Sequence, residues 1–138
     1  MAEYTLTLTS DQAHEALKAI ELLMRLKLGQ FDNLPFALLD IGAKDYCDKR
    51  DKAAPHLEAA RQAYYGDRTP ADEDWKDSEW YRLYNLYQVL RKAIHDAEHP
   101  DTIGVDSYDP MQFTDEPLPQ CAWENNGGKG TVPYRRKA

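Results

Sequence analysis

Apolar side chains recur at three- and four-residue steps through residues 78–99, SEWYRLYNLYQVLRKAIHDAEH, and no other run in the chain keeps a helical period so long. Trp80, Leu83, Leu86, Tyr87, Leu90, Ala93, Ile94 and Ala97 make one apolar stripe on a predicted helix. The opposite side reads Tyr81, Tyr84, Asn85, Gln88, Arg91, Lys92 and His95. That row of rings, amides and cations suits an anionic, ring-containing ligand or a protein partner.

The same reading extends along the chain. Tyr4-Thr5-Leu6-Thr7-Leu8-Thr9 alternates and predicts a half-buried strand. Thr9 or Ser10 then caps a helix, with Gln12 as the capping-box partner of Thr9. Ala13, Ala16, Leu17, Ile20, Leu23, Met24 and Leu28 form its buried stripe, and Gly29 stops it. Pro35 opens a second predicted helix running to about Cys47 or Lys49, and Pro55 opens a third that ends at Tyr65 before Gly66. Residues 67–77 form an acidic loop that Trp75 anchors, and Pro100 ends the long helix. Beyond it lie turn signals and two extended pieces, residues 102–105 and 118–123. The expected class is a helix-dominated α+β fold. Three to four helices pack with a small antiparallel sheet, built from the N-terminal strand and C-terminal extended segments. Residues 1–124 form one globular domain, and 125–138 a basic, Gly-rich tail.

Composition narrows the function classes. The 138 residues suffice for a single core, and 42% hydrophobic with 30% charged residues is ordinary for a soluble domain. Cys47 and Cys121 make neither a disulfide framework nor a metal spacing, and no signal peptide or membrane span is evident, so a reduced cytoplasm is expected. The net charge of −7 is uneven. Lys129, Arg135, Arg136 and Lys137 make the tail +4, leaving −11 on the body. Such a body disfavours broad binding to duplex DNA.

Several motifs combine in a fixed order: strand, helix, then Gly29-Gln30-Phe31; Tyr84-x3-Gln88-Val89-x-Arg91; Gly104-Val105, Tyr108-Asp109-Pro110 and Glu116-Pro117-Leu118-Pro119. In that order and spacing the chain, over about residues 4–124, resembles a family of small tailed-bacteriophage accessory proteins. The resemblance implies a protein acting in the cytoplasm of an infected bacterium.

Other patterns carry less chemistry. His95-Asp96-Ala97-Glu98-His99 matches the inverted zincin spacing, but the second His precedes Pro100 at a helix end, and only Asp101, Asp106 and Glu116 stand near as a third ligand. Polar side chains that complement the helix dipole explain it better. Asn126-Gly127-Gly128-Lys129-Gly130-Thr131 lacks the order of a phosphate loop and reads as a flexible connector. Asp72-Glu73-Asp74 is a solvated loop, Cys47 has core spacing, and His14 and His56 are surface or cap residues. No catalytic residue, metal site or cofactor is assigned.

The remaining candidate is a ligand site of Tyr81, Tyr84, Asn85, Gln88, Arg91, Lys92 and His95, completed by Gln30 and Phe31 or by a second chain. Rings would stack a base, Arg91 and Lys92 would meet phosphate, and Asn85 and Gln88 would read polar edges. The expectation is a non-enzymatic, homo-oligomeric phage counter-defence protein. It would sequester a small phosphorylated nucleotide-like immune signal, such as a cyclic nucleotide or ADP-ribose derivative, without turnover. The alternative is an acidic protein–protein inhibitor of a host defence or nucleic-acid enzyme. The bland reading packs Tyr84 and Tyr87 in the core and leaves Gln88, Arg91 and Lys92 solvated.

Overall fold

The computed structural model describes residues 2–67, 76–99 and 116–132. Its class is the expected helix-dominated α+β. Helices α1 (Ser10–Lys27), α2 (Leu34–Leu38), α3 (Tyr46–Tyr65) and α4 (Ser78–Glu98) precede strands β1 (Cys121–Asn125) and β2 (Gly128–Val132). A 3-10 turn, Phe31–Asn33, leads into α2. None of the described helices is long and apolar enough to cross a membrane. Contacts divide the chain into two units, Glu21–Leu83 and Met1–Ile20 with Tyr84–Ala138.

The unit Glu21–Leu83 is built on the end of α1. Gly29 takes φ 76°, which a side chain would resist, and the chain closes a Schellman turn there. Gln30 N–H donates to the Arg25 carbonyl and Gly29 N–H to the Leu26 carbonyl, both at 2.9 Å. Carbonyls at a helix end lack intrahelical donors, and here side chains supply them. The indole Nε1–H of Trp80 donates to Met24 O at 3.2 Å, and the Tyr65 hydroxyl to Leu26 O at 3.2 Å. Met24, Tyr46 and Trp80 are buried. At the start of α4, Asp77 Oδ1 accepts the Trp80 N–H at 2.9 Å and so caps the helix. Lys27 Nζ reaches Asp77 and Glu79 at 3.4 and 3.1 Å. Burial opposes its charge, but the two carboxylates outweigh it and raise its pKa.

The middle of the chain corrects two expectations. The helix expected from Pro35 to about Cys47 stops at Leu38. Leu39 is extended, and Asp40 accepts Gly42 N–H on its side chain (3.0 Å) and Ala43 N–H on its carbonyl (2.9 Å). An aspartate that offers the backbone such a turn competes with the helix. The next helix begins at Tyr46, so Pro55 lies inside α3 rather than at its start. Proline removes one N–H from the ladder, and a helix of 20 residues continues around that gap. Gly66, with φ 65°, ends it as expected. Cys47, expected in the core, is exposed.

In the other unit, the capping box at the start of α1 forms as expected. Thr9 N–H donates to Gln12 Oε1 at 3.0 Å, and Gln12 N–H to Thr9 Oγ1 at 3.3 Å. The N-terminal strand does not form. Residues 2–9 have no regular structure, with Tyr4 93% and Leu6 77% exposed. Alternation makes a segment fit for a strand, but a strand needs an edge to pair with, and the sheet here is β1 against β2 alone among the described residues. The Gly-rich stretch is likewise not a loose connector. Gly128–Val132 is β2, in register Cys121↔Val132, Trp123↔Gly130 and Asn125↔Gly128, so a boundary at residue 125 falls inside the hairpin. Val89 and Ala93 of α4 pack with Val132, and Cys121 and Trp123 lean on that cluster. The expected loop anchor Trp75, the stop at Pro100, residues 102–105 and Arg135 to Lys137 lie outside the described residues.

Candidate functional site

Helix α4 carries the predicted row, but its burial is not the one its hydrophobicity suggests. Asn85 and Gln88 are buried at 8% and 6% exposure, beside Val89 and Ala93, whereas Leu86 of the apolar stripe is 43% exposed. The face turned inward near the hairpin therefore carries two amides. Neither solvated amides nor an all-apolar stripe describes it. Buried amides are costly unless bonded. Gln88 Nε2–H donates to the Tyr84 hydroxyl at 3.0 Å, an i, i+4 pair along the helix.

The cations of the row are engaged as well. Lys92 Nζ lies 2.7 Å from Asp96 Oδ1, with both side chains largely shielded. His95 Nδ1 is 3.6 Å from the same carboxylate oxygen. The Arg91 guanidinium carbon sits 5.5 Å from the centroid of the Tyr87 ring, in cation–π range. Tyr84, Asn85, Gln88, Arg91, Lys92 and His95 thus line one helix, with Asp96 added. That acid was missing from the sequence-based set, although its four-residue spacing from Lys92 was visible.

The other three candidates belong to the unit Glu21–Leu83 and have local work there. Gln30 closes the turn after α1 and accepts Arg25 Nη1–H at 3.1 Å. Phe31 packs against Tyr64 and Tyr65, with ring centroids 6.0 and 6.2 Å apart. Tyr81 meets Trp80 edge to face at 5.1 Å.

At the end of α4, Glu98 is engaged by two side chains from the start of α1. The Ser10 hydroxyl donates to Glu98 Oε1, and His14 Nε2 lies 2.7 Å from Glu98 Oε2. The Ser10 bond, ahead of His14, holds the Glu98 carboxyl below its ordinary pKa, although burial pulls the other way. His95 and His99 stand 6.3 Å apart, ring to ring. Among the described residues, no three His, Cys, Asp or Glu side chains are grouped as a metal would require. His14 is a surface residue as expected, but its pairing with a residue 84 positions away left no mark in the local sequence.

The hairpin end is fixed by Asn125. Its Nδ2–H donates to the Ala97 carbonyl in the last turn of α4 at 2.7 Å, and its Oδ1 accepts Gly127 N–H at 2.9 Å. An open hollow of about 420 Å³ beside this turn is lined by Trp123, Asn125, Asn126, Gly127 and Gly128. Among the described residues its lining carries no charged side chain, and Gly127 N–H is already bonded to Asn125.

Comparison of the chain with protein families, with curated proteins and with solved structures found no match.

Proposed function

We propose that the protein is a phage counter-defence factor that binds and holds a small phosphorylated, nucleotide-like signal without turning it over. The observation that supports this reading is the amide-bearing inner face of α4. Asn85 and Gln88 are withdrawn from water beside Tyr84, with Arg91 over Tyr87 one turn on. Buried side-chain amides recognise polar edges with high selectivity, because a mismatched ligand leaves them unpaired. Arg91, 5.5 Å from the Tyr87 ring centroid, brings a cation to that face for phosphate. The phage origin rests on the family resemblance in the sequence.

Native mass spectrometry after addition of a panel of cyclic nucleotides and ADP-ribose derivatives tests this. A specific adduct, released chemically unchanged on denaturation and lost in Arg91→Ala, is the expected result. Breakdown of the ligand, or an empty protein across the panel, overturns it.

One observation favours the second reading, an inhibitor of a host protein. Phe36, Leu38 and Ile41 are 51%, 74% and 61% exposed within six residues of one another, and clustered exposed apolar side chains mark protein interfaces. Stoichiometric capture of one host enzyme, abolished by Leu38→Asp, is what that reading requires.

A further inference from the structure

We infer that the N-terminal arm is an exchanged strand: residues 4–8 of one copy pair antiparallel with the outer edge of β2 in a second copy of this chain. Among the described residues, a strand-patterned segment has no sheet and the sheet has no third strand. Residues 4–9 alternate Tyr-Thr-Leu-Thr-Leu-Thr, the pattern of a half-buried strand, yet Tyr4 and Leu6 stand 93% and 77% exposed. The hairpin has two strands, and no further strand joins it among the described residues. An unpaired sheet edge is a template for another chain.

The chemistry of the edge fits this segment. Pairing Tyr4 with Val132 puts Thr5 opposite Thr131, Leu6 opposite Gly130 and Thr7 opposite Lys129. Tyr4 and Leu6 then extend the face that already holds Val132 and Trp123, while the threonines lie on the outer face. A Thr–Thr pair is favourable across strands, and no like charges meet. The Trp123 indole lies over Gly130, so Leu6 would pack beside that ring. The root of the arm is firm, since Thr9 caps α1 and Ser10 bonds Glu98. Exchange in both directions gives a closed two-fold dimer. Two copies of Tyr4 contribute about 150–250 Å² each. With both Leu6 side chains and the surfaces they cover, the total reaches the roughly 1,000 Å² that a specific interface requires.

Light scattering of the intact protein, alone and as Leu6→Pro, tests the arm. Proline removes one donor and leaves the helices untouched, which circular dichroism verifies. A dimer that becomes monomeric in Leu6→Pro is expected. An intact monomer, or a dimer indifferent to the substitution, overturns the inference. A second measurement reads the register between copies. In a Cys47→Ser, Cys121→Ala background, one preparation carries Thr5→Cys and the other Thr131→Cys, so their disulfide can form only between chains. Mixed, they should join about tenfold faster than Thr5→Cys with Lys52→Cys on α3, because pairing raises the effective concentration of the thiols. Equal rates overturn the proposed pairing. Binding of a nucleotide-like ligand is not read by either experiment, so failure here leaves that proposal standing.

Discussion

Gly130→Ala sets two physical effects against each other. A strand glycine replaced by alanine ordinarily gains about 0.5–1 kcal/mol, because the unfolded chain loses freedom. Here the added Cβ would lie 2.7 Å from Cε2, Cζ2 and Nε1 of Trp123. Carbon contacts are comfortable at about 3.5–4.0 Å, so the indole must move. Trp123 leans on the Val89, Ala93 and Val132 cluster, and displacing it disturbs the junction of hairpin and α4. Overpacking of this kind costs about 1–3 kcal/mol. The clash wins, for a net loss of about 1 kcal/mol. Amide hydrogen exchange of the hairpin is the suitable assay, since it reports local opening. Protection of β1 and β2 should fall about fivefold, as 1.4 kcal/mol is a factor of ten. In a Trp123→Leu background the obstacle is gone, so the same substitution should become neutral or protective. Greater protection in the natural background, or an equal cost in both, refutes the reasoning.

Other substitutions probe other contacts. Asn125→Ala removes two hydrogen bonds at the hairpin turn and should cost about 1–2 kcal/mol, read by the same exchange experiment. Trp80→Phe leaves Met24 O without its side-chain donor and should lower stability by about 1–3 kcal/mol in urea titration; no change would mean that water replaces the indole. Pro55→Ala restores the N–H facing Asp51 O inside α3, and should raise helicity by circular dichroism and stability by about 1–3 kcal/mol. Glu98 has a folded pKa below its unfolded value near 4.5, so its stabilisation is present above that pH and fades as the pH falls through the folded value. The group is solvent-exposed, which limits the effect to about 0.5 kcal/mol. Glu98→Gln should therefore weaken the protein at neutral pH and match it in acid, by urea midpoints at both.

What the sequence made legible was local. The capping box of Thr9 and Gln12, the stop at Gly29 and the extent of α4 depend on residues within a turn or two, and their side chains state the outcome directly. Pro55 misled because proline marks a helix start by preference but tolerates an interior place when its neighbours sustain the ladder. The sheet depended on pairing between distant segments, which alternation alone does not choose, and a stretch of glycines concealed the second strand. Burial on α4 was the least visible property. Hydropathy places amides in water, yet Gln88 is drawn inward with Tyr84 as its bond partner, while Leu86 faces out. Ser10 and Glu98 meet across 88 positions, which no local pattern announces.

The bond from Gly127 to Asn125 also bears on how the protein ages. Asn126-Gly127 is the kind of dipeptide whose side-chain amide is lost slowly over time, when the glycine nitrogen attacks the preceding asparagine and closes a succinimide ring. In the folded hairpin that nitrogen is held by Asn125 Oδ1 at 2.9 Å, and Asn125 is itself anchored to the end of α4. A nitrogen whose hydrogen is given to Asn125 is less ready to attack its own neighbour. The fold thereby shields its most labile amide, and the shelter lasts only while the hairpin stays docked on the helix.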